Sequence, residues 1–130
     1  MKNKIESNYL KFLGYKISKM KIEIAEDFNF EKESELDIGI AKKFEIEENI
    51  SNLQLNLHIS NKNNSLNIEM DSIGGFEKGK KVSEEDFKKF MTVNAPSILF
   101  PYLRSTLTSV TSQMGINPII LPTINFSTEK

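Results

Sequence analysis

Through the first half of the chain, apolar and polar residues alternate with the period of two that marks a strand with one dry face and one wet face. Leu53, Leu55, Leu57 and Ile59 interleave with Gln54, Asn56, His58 and Ser60. Leu36, Ile38, Ile40, Phe44 and Ile46 share one parity, interrupted by Lys42, and Leu66, Ile68 and Met70 form a third run. Nearer the start, Leu13, Tyr15 and Ile17 occupy odd positions and Met20, Ile22 and Ile24 even ones. A phase change inside one strand implies a bulge or bend, because the side chains otherwise change faces. Turn-forming stretches at 26–34, 47–52 and 61–65 separate the runs, and Asn61-Lys62-Asn63-Asn64 suits a hairpin loop because asparagine tolerates left-handed backbone. The prediction is four antiparallel strands, with a longer first connection that leaves room for a crossover. Gly74-Gly75, just before Phe76, reads as a bulge or tight bend closing the fourth strand.

After the strands the period changes to that of a helix. Ser83 is placed to cap an N-terminus, with Glu84, Glu85 and Asp86 in the first turn, where the helix dipole favours anions. Phe87, Phe90 and Met91 then share a face. Asn94-Ala95-Pro96 is expected to interrupt the helix, because proline disfavours helical geometry in the residue before it. A second stretch restarts at Pro96 with Leu99, Leu103, Leu107, Val110 and Met114 in one stripe, a kink expected at Pro101, and Gly115 as its C-terminal cap. The segment 116–126, with Pro118 and Pro122 among apolar residues, reads as extended chain lying on the body. The predicted class is α+β: a four-stranded antiparallel sheet with a long broken helix packed on one face, as a single domain over residues 1–130.

Composition narrows the chemistry. The 130 residues carry 17 basic and 18 acidic side chains, a net charge of −1, which argues against nucleic-acid binding because that needs a basic stripe. There is no cysteine and one histidine, so disulfides, zinc–thiolate sites, a thiol nucleophile and a Ser-His-Asp triad are absent or hard to build. No apolar run is long enough to span a membrane, and the start MKNKIESNYLKF lacks the apolar stretch of a secretory signal, so a cytoplasmic protein is expected. His58 falls on the polar face of its strand and reads as an exposed histidine. Lys78–Lys81 reads as a solvated connection, and Glu45, Glu47 and Glu48 as a charged face and turn rather than a cation site. Gly74-Gly75 lacks the pattern of a phosphate loop. No metal, cofactor or enzymatic activity is expected.

The informative stretch is NAPSILFPYLR, residues 94–104, where two prolines and several large apolar residues stand beside Arg104, the sole arginine. With Thr108–Gly115, Asn117-Pro118, the LPTINF ending and Gly74-x-Phe76, it resembles the SecB family of protein-export chaperones over nearly the whole chain. That resemblance implies a dimer of dimers that holds unfolded or pre-secretory polypeptides in extended form without ATP, in grooves of aromatic and aliphatic side chains. Phe28, Phe30, Phe44 and Phe76, with Ile119, Leu121 and Ile124, are the client-binding candidates, each of which could equally serve core or subunit interface. Asn94, Pro96, Leu99, Phe100, Pro101, Tyr102, Leu103 and Arg104 are assigned to the family motif and to assembly. Three departures bear on the partner. Family members commonly continue past the NF motif into another helix where this sequence has Ser127–Lys130; they are usually strongly acidic; and acidic positions that dock the SecA motor are filled here by Lys19 and Lys21. The implied partners are therefore unfolded chains, with SecA or a dedicated client such as an antitoxin beside them. The alternative is a protein dedicated to one partner, or a structural or regulatory oligomer with no general client groove.

Overall fold

A computed structural model describes residues 10–29 and 35–128. Four strands, β1 (Leu10–Ile24), β2 (Leu36–Glu47), β3 (Ile50–Asn61) and β4 (Leu66–Lys78), form one antiparallel sheet in the order β1-β4-β3-β2. The first connection is thus a crossover, carrying the chain from one edge of the sheet to the other. Ala25 N–H donates to the carbonyl of Ser65, which docks the start of the crossover on the β3–β4 hairpin. That hairpin turns through Asn64 in the left-handed region (φ 60°), the conformation asparagine accepts at little cost.

The phase change in β1 has the predicted origin and an unpredicted companion. Register shifts between Ile17 and Lys19, and again between Phe12 and Gly14. The first makes Ser18 the extra residue and keeps Ile17 and Met20 on one face. The second, aided by Gly14 at φ +120°, makes Leu13 the extra residue. Leu13 therefore parts from Tyr15 and Ile17 and joins the polar face, against the parity expected from sequence. Gly74 and Gly75 do not bend β4. They pair in regular register with Leu53 and Asn52, and the bulge lies opposite them in β1. Gly74 is required by the second layer instead: a Cβ there would come within 3.2 Å of Leu99 Cδ2, so its absence lets the helix lie close on the sheet.

That helix covers β3 and β4. Their inward residues, from Leu53 to Ile59 and from Leu66 to Phe76, are buried with Phe87, Met91, Leu99, Leu103 and Leu107. The edge strands remain half-covered: Met20, Ile22 and Ile24 on β1 and Ile38, Ile40 and Phe44 on β2 pack against this core while keeping part of their surface open. α1 (Glu84–Lys89) starts as predicted, with Ser83 Oγ accepting from Asp86 N–H. The expected break at Asn94-Ala95-Pro96 is instead a single wide turn. Phe90–Asn94 forms a π-helical segment, Ala95 N–H reaches Phe90 O, and α2 (Ala95–Ser112) continues through Pro101, which faces outward. The apolar stripe of α2 also ends differently: Thr111 is buried in the place sequence gave to Val110 and Met114.

On the polar face, Lys19 Nζ donates to Glu69 Oε1 at 3.1 Å across β1 and β4. The hydrogen bond from Lys19, then its charge, holds the Glu69 carboxyl below its ordinary 4.5, and the same bond raises the Lys19 amine above 10.5. A carboxyl lowered by folding supports stability above its unfolded value and loses that support as pH falls through its folded value. The raised amine supports stability below 10.5 and loses it as pH climbs through the folded value. Glu69→Gln is expected to lower the urea midpoint slightly near about pH 7, with the difference closing toward about pH 2, because the pair is solvent-exposed and weak.

Candidate functional site

Only part of the predicted aromatic and aliphatic set reaches the surface. Phe76, Ile119 and Leu121 lie in the core, each at most 3% exposed, so in this arrangement they fill the interior and do not line an open groove. Phe76 lies between Phe12, tilted against it at 5.1 Å, and Phe90, in edge contact at 5.5 Å, both half-buried. Phe28, Phe44 and Ile124 are half-buried and accessible from outside. Phe30 lies outside the described residues.

The accessible residues fall in three places. At one end, the crossover (Glu26–Asn29) and the turn after α2 (Gly115–Asn117) flank a cleft of about 500 Å³ with Phe28 and Ile116 as its apolar walls. Gly115, at φ +82°, reverses the chain there and sends it back along α2. Along the other sheet edge, Ile38, Ile40, Phe44 and Ile46 stand on the helix side of β2, whose outer backbone edge has no neighbouring strand among the described residues. Third, Tyr15 and Tyr102 stack at 4.4 Å at the β1 edge, both about 40% exposed. That patch extends onto α2, whose 18 residues include a single charged one, Arg104, although much of the helix surface is uncovered.

The extended segment after Gly115 follows a strand-like alternation: Ile119 and Leu121 point in, and Ile120 between them is 76% exposed. Sequence reading places Ile119 and Leu121 among the client-binding candidates and passes over Ile120 between them; period two separates the two faces of this segment but does not say which one is covered. Thr111 fixes the register, its Oγ1 accepting from Ile119 N–H at 2.9 Å, while Thr108 Oγ1 donates to Ile119 O at 2.8 Å. Arg104 Nη1 reaches Thr123 Oγ1 at 3.5 Å.

The motif residues divide in the same way. Pro96, Leu99, Phe100 and Leu103 are buried in the packing of α2, Arg104 is half-buried, and Asn94, Pro101 and Tyr102 face outward. His58 is exposed on the polar face, opposite Gly39 and Glu69. Among the described residues no three His, Cys, Asp or Glu side chains gather as a metal site, and no helix is long and apolar enough to cross a membrane.

A sequence profile of the family described as preprotein translocase subunit SecB matches residues 2–128. The chain belongs to the SecB family. Among its relatives, the protein-export protein SecB of Orientia tsutsugamushi (strain Boryong) is 32% identical over 98 residues, covering 73% of this chain and 59% of that protein. The SecB of Anaplasma phagocytophilum (strain HZ) is 37% identical over 60 residues, covering 46% of this chain and 38% of that protein. The matched region thus spans less than two thirds of either relative. A SecB-like chaperone of Mycobacterium tuberculosis, solved with a peptide from the HigA1 antitoxin, superposes with a TM-score of 0.74 over 90% of this chain and 88% of its own, at 10% identity. The SecB fold is therefore shared where side-chain identity has almost vanished, and the sheet and long helix are what is common.

Proposed function

We propose that this SecB-family chain is an ATP-independent holdase of the cytoplasm that keeps unfolded or pre-secretory polypeptides extended on apolar surface, and that it works as a homotetramer. The observation that carries this reading is the amount of apolar side chain left open on a small chain: Ile120, Leu13 and Met114 are exposed, and both edge strands are half-covered. A holdase draws its affinity from burying client side chains, at about 25 cal/mol per Å² of apolar surface, and needs such surface uncovered beforehand. The β2 edge adds backbone donors and acceptors that pair with an extended client whatever its sequence. Phe28, Phe44, Ile120 and Ile124 are the side chains proposed to meet clients. Tyr15, Tyr102 and the nearly uncharged face of α2 are assigned to contact between copies, since an aromatic pair beside an uncharged helix face suits a buried interface. No catalytic step is assigned.

The test is refolding of a slow-folding protein with this chain in several-fold excess and no nucleotide. Retardation is expected, weakened severalfold by Ile120→Asp combined with Phe28→Asp; unchanged refolding in the presence of the wild-type chain overturns the reading. A second reading, service to one dedicated client, is favoured by the fold shared with a SecB-like chaperone solved with an antitoxin peptide. Pull-down separates the two: many unfolded chains for a general holdase, one stoichiometric partner for a dedicated one. SecA is a further candidate partner. Its docking face would be the polar side of the sheet, where Lys19 is already engaged by Glu69.

A further inference from the structure

Lys42 is the residue that breaks the apolar parity of β2, and the fold gives it a specific task. In an α-helix, the carbonyl of Thr92 would receive the N–H of residue 96, but residue 96 is proline and has none. Lys42 Nζ donates to that carbonyl, reaching Thr92 O at 3.0 Å. The same ammonium stands 5.4 Å from the ring centroid of Phe126, near the far end of the extended segment, close enough for a cation–π contact. No carboxylate of the described residues pairs with it. One side chain thus joins the edge strand, the π-helical turn and the C-terminal segment.

That segment is otherwise lightly tied. From Ile116 to Asn125 it has no regular secondary structure. Up to Ile124, its backbone hydrogen bonds to the body among the described residues fall on Ile119, and both use threonine hydroxyls of α2. Beyond Ile119 its ties include the burial of Leu121 and Phe126, the 3.5 Å approach of Arg104 to Thr123, the edge contact of Phe126 with Phe100 at 5.9 Å, and Lys42. Segments with few backbone hydrogen bonds open at lower free energy than the strands they lie beside.

We propose that residues 116–126 form a releasable strap latched by Lys42, and that its underside, with the Phe100 surface it covers, is a concealed binding surface for non-native polypeptide. The proposal rests on the holdase reading and adds regulation to it: Ile120 gives an incoming chain a first hold, and Ile119, Leu121 and Phe126 join the client surface only when the strap lifts. A client that binds the lifted state better shifts the equilibrium toward it, and anything that weakens the latch raises apparent affinity.

The chain contains no cysteine, so single introduced thiols report single sites. Leu121→Cys, Leu57→Cys and Ile120→Cys would each be reacted with a chromogenic disulfide reagent under native conditions. Ile120→Cys sets the open limit and Leu57→Cys the rate of global unfolding. Leu121→Cys is expected to react about a hundredfold faster than Leu57→Cys, because it needs only local opening. Adding Lys42→Met should speed Leu121→Cys about tenfold, leave Leu57→Cys within about twofold, and tighten binding of reduced carboxymethylated α-lactalbumin severalfold. If Leu121→Cys reacts no faster than Leu57→Cys, the strap does not open separately and the proposal falls, whatever the binding result. If the strap opens but Lys42→Met leaves affinity for the unfolded α-lactalbumin unchanged, the concealed surface is rejected. Failure of the wild-type chain to bind that probe at all counts against the holdase reading, while the thiol rates still decide the strap.

Discussion

Phe76→Ala is expected to remove about 3–5 kcal/mol of stability, enough to unfold much of the chain in mild urea. The ring is fully buried, touches the rings of Phe12 and Phe90, and sits where β4 meets the helical layer. The cavity it leaves has backbone on the sheet side and cannot collapse easily. Phe44→Ala, on the half-covered edge, is expected to cost less, about 1–2 kcal/mol, since part of that side chain already meets water in the folded state. Equilibrium unfolding followed by circular dichroism measures both. The contrast matters because sequence reading gave the two phenylalanines the same role. A small loss for Phe76→Ala would mean that the core is not arranged as described and that Phe76 is available to clients after all.

Tyr102→Asp is expected to act on assembly and leave the fold intact. The tyrosine is 41% exposed and its ring rests on Tyr15, so the isolated chain loses only part of a surface stack. In an oligomer joined through α2, however, a carboxylate there is carried into an apolar contact and, by two-fold symmetry, the charge is buried twice in each interface. Light scattering should report a mass close to four chains for the wild type and half of that or less for the variant, with unchanged far-ultraviolet circular dichroism. A wild-type mass of one chain would remove the assembly role given to the NAPSILFPYLR segment.

The strands, the capped start of α1 and the direction of the final segment were legible because each depends on local signals: alternation, Ser83 followed by three acids, and prolines among apolar residues. What escaped had distant causes. Gly74 is needed because Leu99, 25 positions later, lies over it, so local rules could suggest only a bend. Leu13 faces the polar side because of a bulge that alternation alone does not locate. Phe76, Ile119 and Leu121 read as groove residues because sequence shows what is apolar, whereas what is covered depends on where α2 settles. Lys42 did leave a trace, as the polar residue in an apolar series, but its partner became visible only when the turn before Pro96 was placed beside it.

The strand order carries a consequence for synthesis. Among the described strands, β1 is made first and pairs along its whole length with β4, made last, Leu10 opposite Lys78, so it cannot be seated until the ribosome has delivered both. Pairings so far apart along the chain close slowly, because loop entropy is lost before contacts repay it. A nascent copy therefore spends much of its own elongation with a lysine-rich ribbon dangling, in the unfinished condition proposed for its clients.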